Sequence, residues 1–141
     1  MILPDVNVLI YAFRRDATRH ETCKPWLDGV VKSDVPFGIS PLALSAVVRI
    51  TTNPRVFREP SPSAESFAFC DNLLSQPHVE RIVPGGRHWG IFERIVRETS
   101  TRGPRVTDAW FAALAIEGGH TWITYDRDYA RFPDLDWREP G

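Results

Sequence analysis

Cysteine and long apolar runs are scarce in this sequence of 141 residues. The two cysteines, Cys23 and Cys70, are too few for a disulfide framework, and we expect both to be small core residues in a reducing compartment. No apolar run reaches the roughly 18 residues that a membrane-spanning helix needs. The amino end has neither the basic segment nor the apolar stretch of a secretory signal. Together these features favour a cytoplasmic protein without a membrane partner.

Lysine is also rare, because only 2 of the 17 cationic side chains are lysines and 15 are arginines. Arginine binds phosphate through two parallel hydrogen bonds, which lysine cannot do. The net charge of −1, however, argues against a broadly basic nucleic-acid binder, and a compositional bias of the source genome explains the arginine excess equally well. The length and a hydrophobic content of 43% predict a single domain over residues 1–141.

Strand-like and helix-like segments alternate along the chain. Buried strands are predicted at residues 2–5, 36–39, 79–83, 121–125 and 135–137. Helices are predicted at residues 6–13, 19–31, 42–52, 63–75, 88–99 and 106–116, with a single turn at 128–132. Pro25 suits a first helical turn, so the second helix could begin there. The alternation predicts an α/β fold, a parallel β-sheet flanked by helices on both faces.

Three aspartates occupy equivalent places in this pattern. Asp5 ends the first strand, Asp126 follows the fourth, and Asp108 starts the alanine-rich helix. Parallel strand ends meet on one edge of an open α/β sheet, where such folds bind ligands, so we expect these carboxylates to converge. Clustered carboxylates repel one another without a cation, and oxygen ligands suit Mg²⁺ or Mn²⁺. Such an ion polarises a phosphoryl oxygen and activates water, so the pattern predicts metal-assisted phosphodiester hydrolysis.

Three further polar residues adjoin these acids. Asn7 could hold Asp5 or a metal-bound water in place. Thr124 and Asp128 flank Asp126 and could orient it or contact such a water. Capping of helices and turns is an alternative role for each acid or amide taken alone, since Asp and Asn commonly cap. The shared position of three acids beside the same sheet edge favours a functional site.

The four histidines show no metal-ligand spacing, and we expect them on the surface or in loops. No glycine-rich phosphate loop and no nucleophilic serine or cysteine motif is present.

The ordered motifs resemble those of the PIN-domain ribonucleases and, within them, the VapC toxins of bacterial toxin–antitoxin pairs. The matching segments are LPDVNVLIYA at residues 3–12, residues 40–57, VTDA at 106–109 with its alanine-rich helix, and ITYDRDY at 123–129. Each motif alone is weak, but the ordered set is specific and spans nearly the whole chain.

The resemblance implies a Mg²⁺- or Mn²⁺-dependent endoribonuclease toxin that cleaves RNA, is inhibited by a cognate antitoxin and usually forms a homodimer. It implies catalytic roles for Asp5, Asp108, Asp126, Asn7 and Thr124. The metal ligands it implies are Asp5, Asp108, Asp126 and Asp128. Arg14, Arg15 and Arg19 follow the first helix close to this site, and a solvated face is the favoured interpretation over contact with RNA phosphate.

One position departs from the family's pattern. The family normally carries a glutamate in the third helix before an apolar pair and an arginine, where this chain has Ala46 ahead of Arg49. Alanine has no ligand atom, so we expect weaker metal binding and poorer alignment of the attacking water. Either the chain is a natural, impaired variant or a glutamate was replaced, and the intact surrounding motif favours replacement. Alternatively Ala46 is an ordinary helix residue, although neither Glu65 nor Asp71 stands at a strand exit to supply the acid.

Two other functions are compatible with parts of the pattern. A catalytically inactive PIN-like module that binds RNA or protein would explain Ala46, although clustered acids without a metal would burden stability. An aspartyl-phosphate phosphatase also begins with an acid after an apolar strand. That chemistry needs a second acid two residues later, where this chain has Asn7.

Overall fold

Five short strands form one sheet in which every neighbouring pair is parallel. The computed structural model describes all 141 residues. The strands are β1 (Ile2–Pro4), β2 (Phe37–Ile39), β3 (Val79–Arg81), β4 (Thr121–Ile123) and β5 (Trp137–Arg138). The helices are α1 (Val6–Phe13), α2 (His20–Lys32), α3 (Pro41–Thr51), α4 (Ser63–Leu74), α5 (His88–Thr99) and α6 (Arg105–Gly118). A 3-10 turn, Arg127–Arg131, lies between β4 and β5.

The strand order β3-β2-β1-β4-β5 puts β1 at the centre of the sheet. The chain moves outward from β1 through β2 to β3, and then crosses back to β4 on the other side of β1. Right-handed crossovers therefore place α1 to α4 on one face and the α5–α6 pair on the opposite face. The main helix–helix contacts divide in the same way, because α1 packs on α2 and α3, α3 on α4, and α5 on α6. The predicted three-layer α/β/α architecture is confirmed.

The core lies between the sheet and the helices on each face. It is built from apolar strand residues and the inner faces of the helices, among them the fully buried Leu3, Phe37, Ile39 and Trp122. Alanines of α6 let this helix approach the sheet closely, and all three residues 112, 113 and 115 are buried. Cys23 and Cys70 are buried and free, as predicted. None of the helices has the length and apolar character to cross a membrane.

The ends of the helices follow the capping signals in the sequence. Ser40 caps α3, where its hydroxyl accepts a hydrogen bond from the Ala43 N–H at 3.4 Å and Pro41 takes the first position. Gly119 ends α6 in the left-handed conformation with φ of 66°, which glycine adopts without steric cost. These caps fix where α3 and α6 begin and end beside the sheet.

Two local expectations are wrong. The second helix begins at His20, so Pro25 lies inside α2 rather than in its first turn, and the helix lacks the amide hydrogen bond of that residue. His88 is buried rather than exposed, because its ring lies 4.8 Å from the Trp110 ring and its Nε2 is 3.0 Å from the Trp110 carbonyl oxygen. The strands and helices otherwise lie within a few residues of the predicted bounds.

Candidate active site

Strands β1 and β4 are neighbours in the sheet, and their carboxyl ends lie side by side. Leu3 pairs with Trp122 and Pro4 with Ile123 in the parallel register of β1 and β4. Directly after this pairing, the Asp5 N–H donates to the Ile123 carbonyl oxygen at 2.8 Å. The chain leaves β1 and β4 at the point where neighbouring crossovers turn to opposite faces, which is where open α/β sheets bind ligands.

Asp5 is held rigidly at this exit. Its Oδ1 accepts the Val6 N–H at 2.6 Å at the start of α1, and its Oδ2 accepts the Thr124 hydroxyl at 2.7 Å. Thr124 is fully buried, and its Oγ1 also accepts the Asp126 N–H at 2.9 Å. Thr124 therefore links the acid after β1 to the acid after β4, 119 residues apart in sequence.

Burial raises the pKa of Asp5 to about 6. The hydrogen bonds from Thr124 and Val6 act in the opposite direction and lower this pKa. The neighbouring charges of Asp108 and Asp126 raise the pKa further. The same combination of burial and the Asp126 charge raises the pKa of Asp108, partly opposed by Arg105. Asp5 and Asp108 are therefore both less acidic because of burial and neighbouring carboxylates.

One cavity of about 460 Å³, the site cavity, collects most of the predicted residues. Its lining includes Asp5, Asn7, Ala46, Asp108, Asp126 and Tyr129. Asp108 reaches it from the first turn of α6, and the Tyr129 hydroxyl lies 3.5 Å from the Asp108 Oδ1. Burial and the three nearby carboxylates raise the pKa of Tyr129, so its phenol remains protonated. The structure thus brings together Asp5, Asn7, Asp108 and Asp126, with Thr124 one hydrogen bond behind them.

Arg105 supplies a positive charge beside these acids. Its guanidinium lies 3.6 Å from the Asp108 carboxylate, 3.7 Å from that of Asp126, and in closer contact with Asp128. Asp128 is not part of the cavity lining and contacts Arg105 instead, with its N–H donating to the Asp126 Oδ1 at 3.0 Å. In this arrangement no three His, Cys, Asp or Glu side chains form a group close enough to hold an ion.

The donor set nevertheless has the chemistry that a hard divalent ion requires. All the candidate ligands are oxygens, which Mg²⁺ and Mn²⁺ prefer. One of them, the Asn7 Oδ1, is buried and accepts no hydrogen bond from the chain. Buried polar atoms nearly always have a partner, so an orphan acceptor on this cavity is consistent with a cation beside it. The donor atoms present are therefore of the kind that a Mg²⁺ or Mn²⁺ site uses.

Comparison with known proteins agrees with this geometry. Residues 2–135 match the PIN domain family. The chain belongs to the PIN-domain family. Among its relatives is Ribonuclease VapC43 of Mycobacterium tuberculosis, which is 38% identical over 140 residues, covering 99% of this chain and 95% of the relative. Ribonuclease VapC25 of the same species is 39% identical over 135 residues, covering 96% of this chain and 95% of the relative.

The fold of this PIN domain is also found in solved structures. It superposes with a TM-score of 0.71 on a chain from the crystal structure of VapBC2 from Rickettsia felis bound to a DNA fragment from their promoter. The alignment covers 99% of this chain and 98% of that chain, at 17% sequence identity. At this identity the similarity establishes the shared fold.

Ala46 is placed on α3, facing the site cavity of this PIN domain. It is half-buried and neighbours Arg49 and Ile50, which also line the cavity. A longer acidic side chain at this position would extend toward the three aspartates. Arg105 and Tyr129 are site residues that sequence reasoning missed. The spacing of Arg105 three residues before Asp108 was the available signal for it, because residues three apart on a helix are neighbours.

Proposed function

We propose that this PIN domain is a Mg²⁺- or Mn²⁺-dependent endoribonuclease toxin that hydrolyses RNA phosphodiester bonds, with activity impaired by Ala46. The observation that carries the proposal is the convergence of Asp5, Asp108 and Asp126 on one cavity. The full-length similarity to VapC ribonucleases supports the reaction and the substrate.

In this proposal Asp5, Asp108 and Asp126 hold the ion, and the free Asn7 Oδ1 either binds it or accepts a hydrogen bond from one of its waters. Asp128 contributes from the rim of the site. The bound ion supplies charge stabilisation at a phosphoryl oxygen and a more acidic water. All of these donors are oxygens, as Mg²⁺ and Mn²⁺ require.

Thr124 and Val6 are the positioning groups for Asp5. Because each donates to a different carboxylate oxygen, at 2.7 Å and 2.6 Å, the plane of the carboxylate cannot rotate freely. Preorganised oxygens of this kind need little rearrangement when charge develops in a transition state. A cavity of about 460 Å³ has room for a phosphodiester and parts of its flanking nucleotides.

Arg105 compensates the negative charge of the acids. Its contacts with Asp108, Asp126 and Asp128 reduce the repulsion that clustered carboxylates otherwise suffer. The missing fourth carboxylate at Ala46 lowers the negative charge of the site still further. Both features weaken the attraction for a divalent cation, and so we expect reduced activity in this chain.

We further propose an antitoxin partner, a homodimer and a cytoplasmic location for this PIN domain. A cognate antitoxin is expected to inhibit the nuclease, since a similar fold occurs in a structure that is named as a VapBC pair. We also propose a homodimer and action in the cytoplasm, where bacterial RNA substrates are found.

The Ala46→Glu variant tests the function directly. It restores an acidic side chain at the site cavity, so Mn²⁺ affinity and cleavage of total cellular RNA should rise together, by roughly tenfold or more for an interaction of about 1.4 kcal/mol. Metal binding is measured by calorimetry, and cleavage is measured with Mg²⁺, Mn²⁺ or EDTA. Ser45→Glu is the matched control, because Ser45 is exposed on the same helix and does not line the cavity.

The outcomes separate the candidate functions. If Ala46→Glu gains neither metal affinity nor cleavage over Ser45→Glu, the assignment of position 46 is wrong. If Mn²⁺ fails to bind even the Ala46→Glu variant, the catalytically inactive binding module becomes the better description.

A further inference from the structure

The arginines that follow α1 differ in how the structure uses their charge. The Arg14 guanidinium lies 4.0 Å from the centre of the Phe57 ring and donates to the Glu59 carbonyl oxygen at 2.8 Å and to Asp16 at 2.6 Å. Only 10% of its side chain is exposed. Arg14 therefore anchors the loop between α3 and α4 and is not available to a ligand.

Arg19 is different, because it is exposed and makes no ion pair with any carboxylate of the chain. Its guanidinium carbon lies 4.0 Å from the centre of the Tyr125 ring. One face of the guanidinium is therefore stacked on an aromatic ring, and its charge is not neutralised by an acid. A guanidinium held in this way loses less conformational freedom when it binds a further group.

Tyr125 connects this arginine to the site. It stands between Thr124, which bonds to Asp5, and Asp126, which lines the site cavity. The Cα atom of Tyr125 is only about 3.8 Å from those of Thr124 and Asp126, so its side chain starts next to the acid cluster. The Tyr11 ring of α1 lies 6.0 Å from the Tyr125 ring. We call the surface formed by Arg19, Tyr125 and Tyr11 the Arg19 platform.

Without a metal, the carboxylates of the site oppose the binding of RNA phosphates. The four aspartates near the cavity outnumber its two arginines, since Arg105 pairs with three of the acids and Arg49 lines the cavity, so the field there opposes phosphates. A polyanionic substrate therefore needs positive charge next to the acids, on a side chain that they do not neutralise. Arg19 carries such an unpaired charge, and it is packed on Tyr125, the residue between Thr124 and Asp126.

We propose that the Arg19 platform is a subsite for a single-stranded RNA nucleotide adjoining the scissile phosphodiester, an inference that rests on the proposed ribonuclease function. Arginine binds a phosphate with two parallel N–H···O hydrogen bonds. Bases of single-stranded RNA stack on aromatic rings and on guanidinium planes. The platform offers both kinds of contact beside the cavity, and it orients the strand so that the next phosphate enters the site.

Equilibrium binding of RNA tests the subsite. The probe is a fluorescein-labelled single-stranded RNA 12-mer of mixed sequence, in EDTA to prevent cleavage, followed by anisotropy over a range of NaCl concentrations. Arg19→Gln should weaken binding by roughly tenfold, as expected for loss of a charge-assisted contact. It should also reduce the slope of log K against log salt by about 0.7, the value for one phosphate contact to a single strand.

Two further variants distinguish this role from a structural one. Arg19→Lys keeps the charge, so the salt slope should be retained while the affinity falls. Lys32→Gln removes the same charge at the opposite end of α2 and should match the parent in affinity and slope. Thermal unfolding of Arg19→Gln should remain within a few degrees of that of Lys32→Gln, which excludes misfolding as the cause.

The cleavage assay in the Ala46→Glu background identifies which claim fails. If Ala46→Glu cleaves RNA but Arg19→Gln and Lys32→Gln bind the 12-mer equally, the subsite is wrong and the proposed function stands. A loss of RNA binding in Arg19→Gln that simply follows a loss of folding, with Arg19→Lys fully active, also overturns it. If the parent and Ala46→Glu neither bind nor cleave RNA, the ribonuclease function and the subsite fall together.

Discussion

The Asp5 carboxylate is held in place by hydrogen bonds, but its burial makes the charged form unfavourable. Only 7% of the residue is exposed, and burial raises its pKa from 3.8 to about 6. The folded chain therefore holds a proton on Asp5 at pH values where the unfolded chain has lost it. Folding stability from this group is complete below about pH 4 and is lost as the pH rises through about 6.

We predict that the metal-free chain is less stable at pH 7 than at pH 4.5 by an amount on the order of 2 kcal/mol from Asp5. Urea unfolding in EDTA at several pH values measures this change. Asp5→Asn removes the ionisable group and should flatten that part of the pH profile. A metal-free profile that rises over this range in the parent and in Asp5→Asn alike would show that Asp5 is not the destabilising acid.

The individual acids could be found from the sequence, because their positions after short apolar runs are local features. Thr124 was also accessible for the same reason. Arg105 is hard to predict from the sequence, because the predicted helix begins at residue 106 and so leaves out its contact with Asp108 one turn later. His88 was misplaced because its burial depends on the packing of α5 against Trp110 of α6, which no local pattern encodes.

Helix α3 carries position 46, and its orientation depends on α4. The buried Thr51 hydroxyl lies 2.8 Å from the Ser66 hydroxyl of α4 and donates to the Val47 carbonyl oxygen at 2.7 Å. Neither hydroxyl has access to water, so each depends on the other for part of its hydrogen bonding. This pair is a specific polar link between α3 and α4.

Thr51→Val should destabilise the chain by about 1–3 kcal/mol, because it leaves the buried Ser66 hydroxyl without its partner. Adding Ser66→Ala to Thr51→Val should recover part of the loss, since no unpaired hydroxyl then remains. Thr52→Val is the control, because Thr52 makes the same kind of bond to the Val48 carbonyl oxygen but is half-exposed. Chemical denaturation of the parent, Thr51→Val, Ser66→Ala and the double variant gives the coupling. Additive effects of the two changes would contradict the link.

The bounds of the elements were predictable where capping residues mark them and less so elsewhere. Ser40, Pro41 and Gly119 place the ends of α3 and α6 where the sequence indicates. The fourth strand ends at Ile123, two residues earlier than predicted, and the Thr124 hydroxyl directly after it bonds to Asp5 and to the Asp126 N–H. Pro25 is tolerated within α2, which propensity alone does not indicate.

The strand order determines which residues can meet. Alternating strands and helices predict a parallel sheet, but they do not specify that β4 returns beside β1 rather than extending the sheet at β3. That return places Asp5 beside Thr124 and Asp126, and it reverses the crossover direction at the centre of the sheet. Convergence of the acids is therefore a property of the topology, and the resemblance to a known family anticipated it better than spacing alone.

Metal binding should also be visible in the stability of the folded chain, since the unfolded chain has no preformed site. A ligand at about 100 times its Kd stabilises the native state by about 2.7 kcal/mol. We predict that Mn²⁺ raises the Tm of Ala46→Glu, that EDTA reverses the rise, and that adding Asp126→Asn abolishes it. Asp71→Asn should leave the rise intact, because Asp71 is exposed on α4 and does not line the site cavity. Equal loss of the Mn²⁺ effect in both variants would mean that the ion binds outside the aspartate cluster. Scanning calorimetry with and without the metal distinguishes these results independently of any RNA substrate.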